Sequence, residues 1–213
     1  MKNYNAVLFD CDGVIINSNH IKTEAFYLAA LSYGEDYASQ LKLYHVQNGG
    51  ISRYVKFKYF IENILKKEYS EKEYNDLLNK FSNNVVSLMA DAKIDSAIFN
   101  LKRKVLNGDW MVVSGGDDSE LQEIFHKKGI LKMFELGIFG SPRTKNEIIQ
   151  KGIYDNKIYG DVLYIGDSKY DFFVAKAFNF DFIFVSQWTE VTDWKKFVKC
   201  NNITTVASLS EIC

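Results

Sequence analysis

The chain has 213 residues, of which 47% are hydrophobic and 25% charged, and its formal net charge is −1. That length suits one domain, or one with an insertion, and the balanced, interspersed charge argues against a nucleic-acid-binding surface. No stretch reaches the about 20 apolar residues of a transmembrane helix, and residues 1–5 run into the first strand without the apolar segment of a secretory signal, so neither membrane nor export is expected. Cys11, Cys200 and Cys213 lack metal-ligand spacing and read as free thiols of a reducing cytoplasm.

In chain order, Val7-Leu8-Phe9 is a short apolar run that predicts a buried parallel strand, ending in Asp10, Asp12 and Gly13. Two acids at a strand end are either turn residues, with Gly13 supplying a positive φ, or a charged pair that needs a cation or a shared proton. Residues 19–90 carry helical patterns. Ile21, Leu28 and Leu31 are expected to form one face up to Gly34. Phe57, Phe60, Ile61, Ile64 and Leu65 form a second, and Tyr74, Leu77, Leu78, Phe81, Val85 and Leu88 follow a Ser70/Glu73 capping signal. The texture then changes. A helix face at Ile94, Ile98, Leu101 and Val105 precedes a strand at Trp110–Val113 that ends in Ser114-Gly115-Gly116. Leu121, Ile124 and Phe125 mark a helix closed by Gly129, and a weaker strand at Leu136–Phe139 ends in Gly140-Ser141-Pro142. A helix around Asn146–Lys151, a strand at Val162–Ile165 ending in Gly166-Asp167-Ser168, a helix at Asp171–Phe178 and strands at Phe182–Val185 and Thr204–Val206 complete the pattern. Strands alternating with helices imply an α/β, doubly wound parallel sheet, here with a helical insertion after the first strand. The change of period places the core at residues 1–16 and 92–213 and the helical unit at 17–91.

In such a sheet the strand ends converge on one edge, where ligands bind. The edge then collects Asp10 and Asp12, the Ser114 hydroxyl with open backbone amides, Lys145, and Asp167 with Asp171. This is the outline of a metal-assisted phosphoryl-transfer site. Ser114 also suits a turn, Lys145 an exposed helix start and Asp167 an N-cap.

The order D-x-D-G-V, apolar-apolar-Ser-Gly, a lysine after Gly-Ser-Pro, and G-D-S-x-x-D resembles the haloacid dehalogenase superfamily. The helical block between the first and second motifs resembles its C1-capped phosphatase branch, which includes phosphoglycolate phosphatase and β-phosphoglucomutase. The resemblance implies a Rossmann-like core and a cap, with Asp10 as nucleophile forming an aspartyl-phosphate. Asp12 would be the acid and base for leaving group and water; a dehalogenase lacks this acid, because a halide needs no proton. Ser114, the Gly115 amide, Gly13 and Lys145 would surround the phosphoryl group. Mg²⁺ would be held by Asp10, the Asp12 carbonyl and Asp167, and Asp171 would orient its waters or Lys145. Arg143 is the fallback cation in the third motif.

The chain departs from that pattern at Asn17, where relatives often carry an acid, and at Lys22, where they often carry a histidine; His20 is read as an exposed or hinge residue. In the cap, Gly49-Gly50-Ile51-Ser52-Arg53 breaks the helical pattern. Arg53 is either a bidentate ligand for a carboxylate or second phosphate of the substrate or a solvated side chain. Lys56 and Lys58 read as surface charges, and the aromatic cluster Phe172, Phe173, Phe178, Phe180, Phe182 and Phe184 as core. The expected function is a Mg²⁺-dependent phosphatase for a small phosphorylated metabolite, acting as a monomer or homodimer. A phosphomutase of the same architecture is the first rival, and a catalytically silent binding module the second.

Overall fold

In a computed structural model the described residues are 2–89, 92–104 and 106–212. The expected boundary residue Asp91, Val105 of the helix face and Cys213 lie outside them. The core is one parallel sheet in the order β3-β2-β1-β4-β5-β6. Its strands are β1 (Ala6–Phe9), β2 (Asp109–Asp117), β3 (Gly137–Ser141), β4 (Val162–Gly166), β5 (Asp181–Val185) and β6 (Thr204–Val206). Because β1 is central and buried on both faces, every residue of Ala6–Phe9 is apolar, as a strand covered on both sides requires. Val7 and Phe9 face one apolar layer with Trp110, Val112 and Phe125. Ala6 and Leu8 face the other, with Met111, Ile148, Val174 and Ala175. The first layer includes α5 (Ala97–Lys104) and α6 (Asp118–Lys127); the second includes α7 (Lys145–Tyr154) and α8 (Lys169–Ala177). The strand order reverses about β1, which puts the crevice for a ligand beyond the ends of β1, β2 and β4.

Between β1 and β2 the chain forms α1 (Asn19–Ala30), α2 (Glu35–Gln47), α3 (Arg53–Tyr59) and α4 (Glu71–Met89). The way in and the way out of this helical unit lie side by side: Ile16 bridges Ile94, and the Asn17 amide donates to the Lys93 carbonyl at 2.9 Å. No helix among the described residues is long and apolar enough to cross a membrane.

Several local expectations change. Helix α1 buries Ala25, Phe26, Ala29 and Ala30, leaving Leu28 and Leu31 38% and 39% exposed. Small alanines let α1 lie close to its neighbours, so the leucine stripe turns outward. Leu88 is likewise exposed at the end of α4, whereas Leu77, Phe81 and Val85 are buried. After α3 the helix widens into a π turn over Phe60–Ile64, with the Leu65 amide bonding the Phe60 carbonyl at 2.8 Å. This shifts Ile64 and Leu65 out of register with buried Phe57, Phe60 and Ile61. Strand β2 continues through Ser114-Gly115-Gly116 to Asp117 instead of ending before them. Helix α9 (Trp194–Cys200) has no clear apolar period and was not expected. Of the aromatic cluster, Phe184 is fully buried, whereas Phe173 is exposed and Phe172 packs edge-on against Phe182 and Phe197.

Candidate active site

Asp10 follows β1 and is buried. Its Oδ1 accepts the Cys11 amide at 2.7 Å and lies 3.0 Å from Lys145 Nζ. Lys145 is the first residue of α7, whose N-terminus is fixed by a Thr144/Glu147 capping box. A side chain there leans back past the helix start, which carries the ammonium to the strand ends. It meets Asp171 Oδ1 at 2.6 Å. Asp171 in turn receives Ser168 Oγ at 2.6 Å and the Ser168 amide at 3.1 Å on Oδ2, and Tyr164 Oη at 3.1 Å on Oδ1. Both of its oxygens are thus occupied by protein, so Asp171 orients Lys145 and caps α8. Arg143, the alternative cation, pairs with Asp118 at the surface.

Asp167, at the end of β4, accepts Asn19 Nδ2 at 2.7 Å, and Asn19 also donates to the Trp188 carbonyl at 2.9 Å. Gly13 has φ +78°, and a Cβ there would fall 2.1 Å from Asp167 Oδ2, so the first-motif loop and the β4 acid approach as only glycine permits. Asp12 accepts Ser18 Oγ at 2.5 Å on Oδ1 and the Lys22 ammonium on Oδ2. Ser114 is buried beyond Val113, its Oγ accepting the Gly116 amide at 3.0 Å. A Cβ on Gly115 would lie 2.3 Å from the Gly50 carbonyl, because the cap loop rests directly on this part of β2.

The electrostatics divide the acids into two kinds. Burial pushes Asp10 up, Lys145 partly offsets this, and Asp171 and Asp12 add to the rise, leaving it at about 7. Burial, with Asp10 and Asp171 nearby, also holds Asp167 well above the usual carboxylate range. Burial would raise Asp12 as well, but the Lys22 ammonium and the Ser18 hydroxyl outweigh it and bring Asp12 below its ordinary value. Burial lowers Lys145, yet Asp10 and Asp171 more than compensate and keep it charged.

The donor set suits a small hard cation. Oxygens of Asp10, Asp167 and Asp171 lie within 4.8 Å of one another. With Asp171 committed to Lys145 and Ser168, the available ligands are Asp10, Asp167 and the Asp12 carbonyl, which receives no hydrogen bond among the described residues. Burial raises the Asp10 and Asp167 carboxyls, so a cation bound between them would favour their charged forms. All-oxygen ligands of this kind fit Mg²⁺.

The cap closes over these groups. Arg53 is buried and forms a bidentate pair with Glu120 of α6, its Nη1 2.7 Å from Oε1 and its Nη2 2.5 Å from Oε2; Nη1 also donates to Ser82 at 2.9 Å. Its fork is therefore paired within the chain, which corrects the reading of Arg53 as a solvated side chain, and the residue also lines the cavity beneath the cap. Tyr54 Oη donates to Asp117 at 2.7 Å and Thr23 Oγ1 to Glu190 at 2.5 Å. A cavity of about 60 Å³ remains, lined by Asp10, Asp12, Asp167 and Glu190 from the core and by Lys22, His45, Arg53 and Lys56 from the cap. Lys56 is fully buried there, which corrects its reading as a surface charge, whereas Lys58 is exposed. His20 is exposed, as expected. Asn19, Lys22, His45 and Tyr164 were not picked out as site residues. Only a lysine in place of the usual histidine hinted at one of them, because their roles come from tertiary approach and not from spacing.

Residues 7–185 match the family model for haloacid dehalogenase-like hydrolases. No curated protein matches the chain. Among solved structures, a "predicted phosphatase" from Clostridium acetobutylicum is 20% identical, with a TM-score of 0.75 over 99% of this chain and 96% of that one. A "predicted phosphoglycolate phosphatase" from Haemophilus somnus is 17% identical, with a TM-score of 0.74 over 100% and 97%. A β-phosphoglucomutase from Clostridium difficile is 20% identical, with a TM-score of 0.73 over 99% and 93%. At these identities the likeness is one of fold.

Proposed function

The chain belongs to the haloacid dehalogenase-like hydrolases, and from that premise we propose that it is a Mg²⁺-dependent phosphatase of a small phosphomonoester. The observation that carries this reading is the pairing of Asp10, fixed through Oδ1 by Lys145 and the Cys11 amide, with Asp12, held in a different electrostatic state two residues on. Bound Mg²⁺ would supply positive charge that ionises Asp10 and neutralises phosphoryl oxygens; Asp10, Asp167 and the Asp12 carbonyl would hold it. Fixing Oδ1 leaves Oδ2 of Asp10 to form the bond to phosphorus while the ester P–O bond breaks. Asp12 gives its proton to the departing alkoxide, then takes one from the water that cleaves the aspartyl-phosphate. Asp12 starts ionised beside Lys22, so its acid role begins with uptake of a proton from solvent or from the bound phosphate monoanion. Lys145, the Ser114 hydroxyl, whose oxygen accepts the Gly116 amide, and the Gly115 amide stabilise charge on the transferring group.

The relative described as a β-phosphoglucomutase defines the alternative: the same Asp10 and Asp12 serve a mutase that returns the phosphoryl group to a sugar. Inorganic phosphate release from a panel of phosphorylated metabolites, with and without Mg²⁺, tests the proposal. Magnesium-dependent release that is lost in Asp10→Asn is expected. Isomerised sugar phosphate without phosphate release points to the mutase, and no turnover at all overturns the reading.

A further inference from the structure

The cations around the cavity differ in one respect. Lys145 has Asp10 and Asp171, Lys22 has Asp12, and Arg53 has Glu120. Lys56 has no carboxylate within ion-pair distance among the described residues, although its side chain is fully buried. Its ammonium makes one hydrogen bond, to His45 Nδ1 at 2.7 Å, and sits 5.3 Å from the centre of the Phe26 ring. A desolvated ammonium is costly unless something completes its coordination, and among the described residues His45 Nδ1 is the one acceptor for its three protons.

His45, in the last turn of α2, stacks on the same Phe26 ring at 4.4 Å. Burial, reinforced by Lys56 and Lys22, keeps the imidazole neutral. With Nδ1 accepting from Lys56, the remaining proton lies on Nε2, so the pair offers donors and no acceptor. Both residues belong to the cap and line the cavity together with Asp10, Asp12, Asp167 and Glu190 of the core. Asp10 and Asp12 line the same cavity, so a group that meets the pair belongs to a molecule held also at the reacting end.

We propose that Lys56 and His45 form a cap subsite that reads a second anionic group of the substrate, a carboxylate or phosphate remote from the transferred phosphoryl. Arg53 lines the same cavity, but its fork is paired with Glu120 and Ser82, whereas Lys56 has no carboxylate partner among the described residues. The proposal rests on the phosphatase reading and narrows it to phosphomonoesters with two anionic ends. Because α2 and α3 carry the pair, the subsite assembles only when the cap is closed, which couples selection to closure.

Matched esters test it: 3-phosphoglycerate against glycerol 3-phosphate for a carboxylate, and fructose 1,6-bisphosphate against fructose 1-phosphate for a second phosphate. The wild type is expected to favour the doubly anionic member of one pair by about 10–100-fold in kcat/KM, the usual weight of a charge-assisted hydrogen bond. Lys56→Met should collapse that ratio to about threefold or less, while Lys56→Arg keeps a larger share of it. If Lys56→Met does not fold, His45→Gln reads the same ratio. No preference in either pair, or a preference that survives both variants, overturns the proposal. Should the wild type hydrolyse none of the esters, the phosphatase reading fails by itself. Calorimetric binding of the same esters then decides the subsite: a preference lost in Lys56→Met supports it, and equal affinities reject it.

Discussion

Lys145 lies between Asp10 and Asp171, 3.0 and 2.6 Å from their carboxylates, and is as buried as they are. Removing its charge leaves two acids unpaired in a dry site, so Lys145→Met should cost roughly 3–5 kcal/mol of stability as well as turnover. Urea unfolding measures the first and phosphate release the second; a variant as stable as the wild type would show that the pair does not hold the site together. Lys145 and Asp171 were legible in the sequence because strand ends fix where they fall, one at a helix start after Gly140-Ser141-Pro142 and one a helical turn beyond Asp167. What spacing left open for Asp171 was the choice between the metal's waters and Lys145; its oxygens are taken by Lys145, Tyr164 and Ser168. Nor could it show Lys22 against Asp12, since that contact depends on where α1 comes to rest.

At the scale of elements, the parallel strands and the helical block were readable, because apolar runs and 3.6-residue periods are local properties. The faces of α1 and the end of α3 were not. Alanine-rich packing and a π turn are decided by neighbouring helices. The same is true of the cap latch: Arg53 begins α3, Glu120 lies in α6, and only closure joins them. Glu120→Gln removes one charge from this largely buried pair and should weaken closure by about 1–3 kcal/mol. Hydrogen exchange would then quicken over Gly49–Tyr59 while β1 and β4 stay protected. Unchanged exchange in the cap loop would mean that the pair is not what holds the cap down.

For the whole molecule, a buried cation without a carboxylate is a cost borne by the fold. Burial, with Lys22 and Lys145 also opposing the charge, brings Lys56 down to about 7, despite Asp12 and Glu190 on the core side and with neutral His45 as its hydrogen-bond partner. The unfolded chain therefore binds a proton that the folded one lacks between pH about 7 and the ordinary lysine value, and in that window stability from this group rises with pH. At pH 6 the penalty is full. Lys56→Met should thus stabilise the protein, by roughly 1–3 kcal/mol at pH 6, with the gain shrinking towards pH 10. Denaturant midpoints at the two pH values check this, and a gain independent of pH would contradict it. The covalent state of Asp10 tests the central claim most directly. Acid-quenching the enzyme with a ³²P-labelled ester that it hydrolyses, followed by peptide mapping, should place a hydroxylamine-sensitive phosphoryl group on Asp10 and find none in Asp10→Asn. Label on another residue, or turnover that persists in Asp10→Asn, would contradict the account.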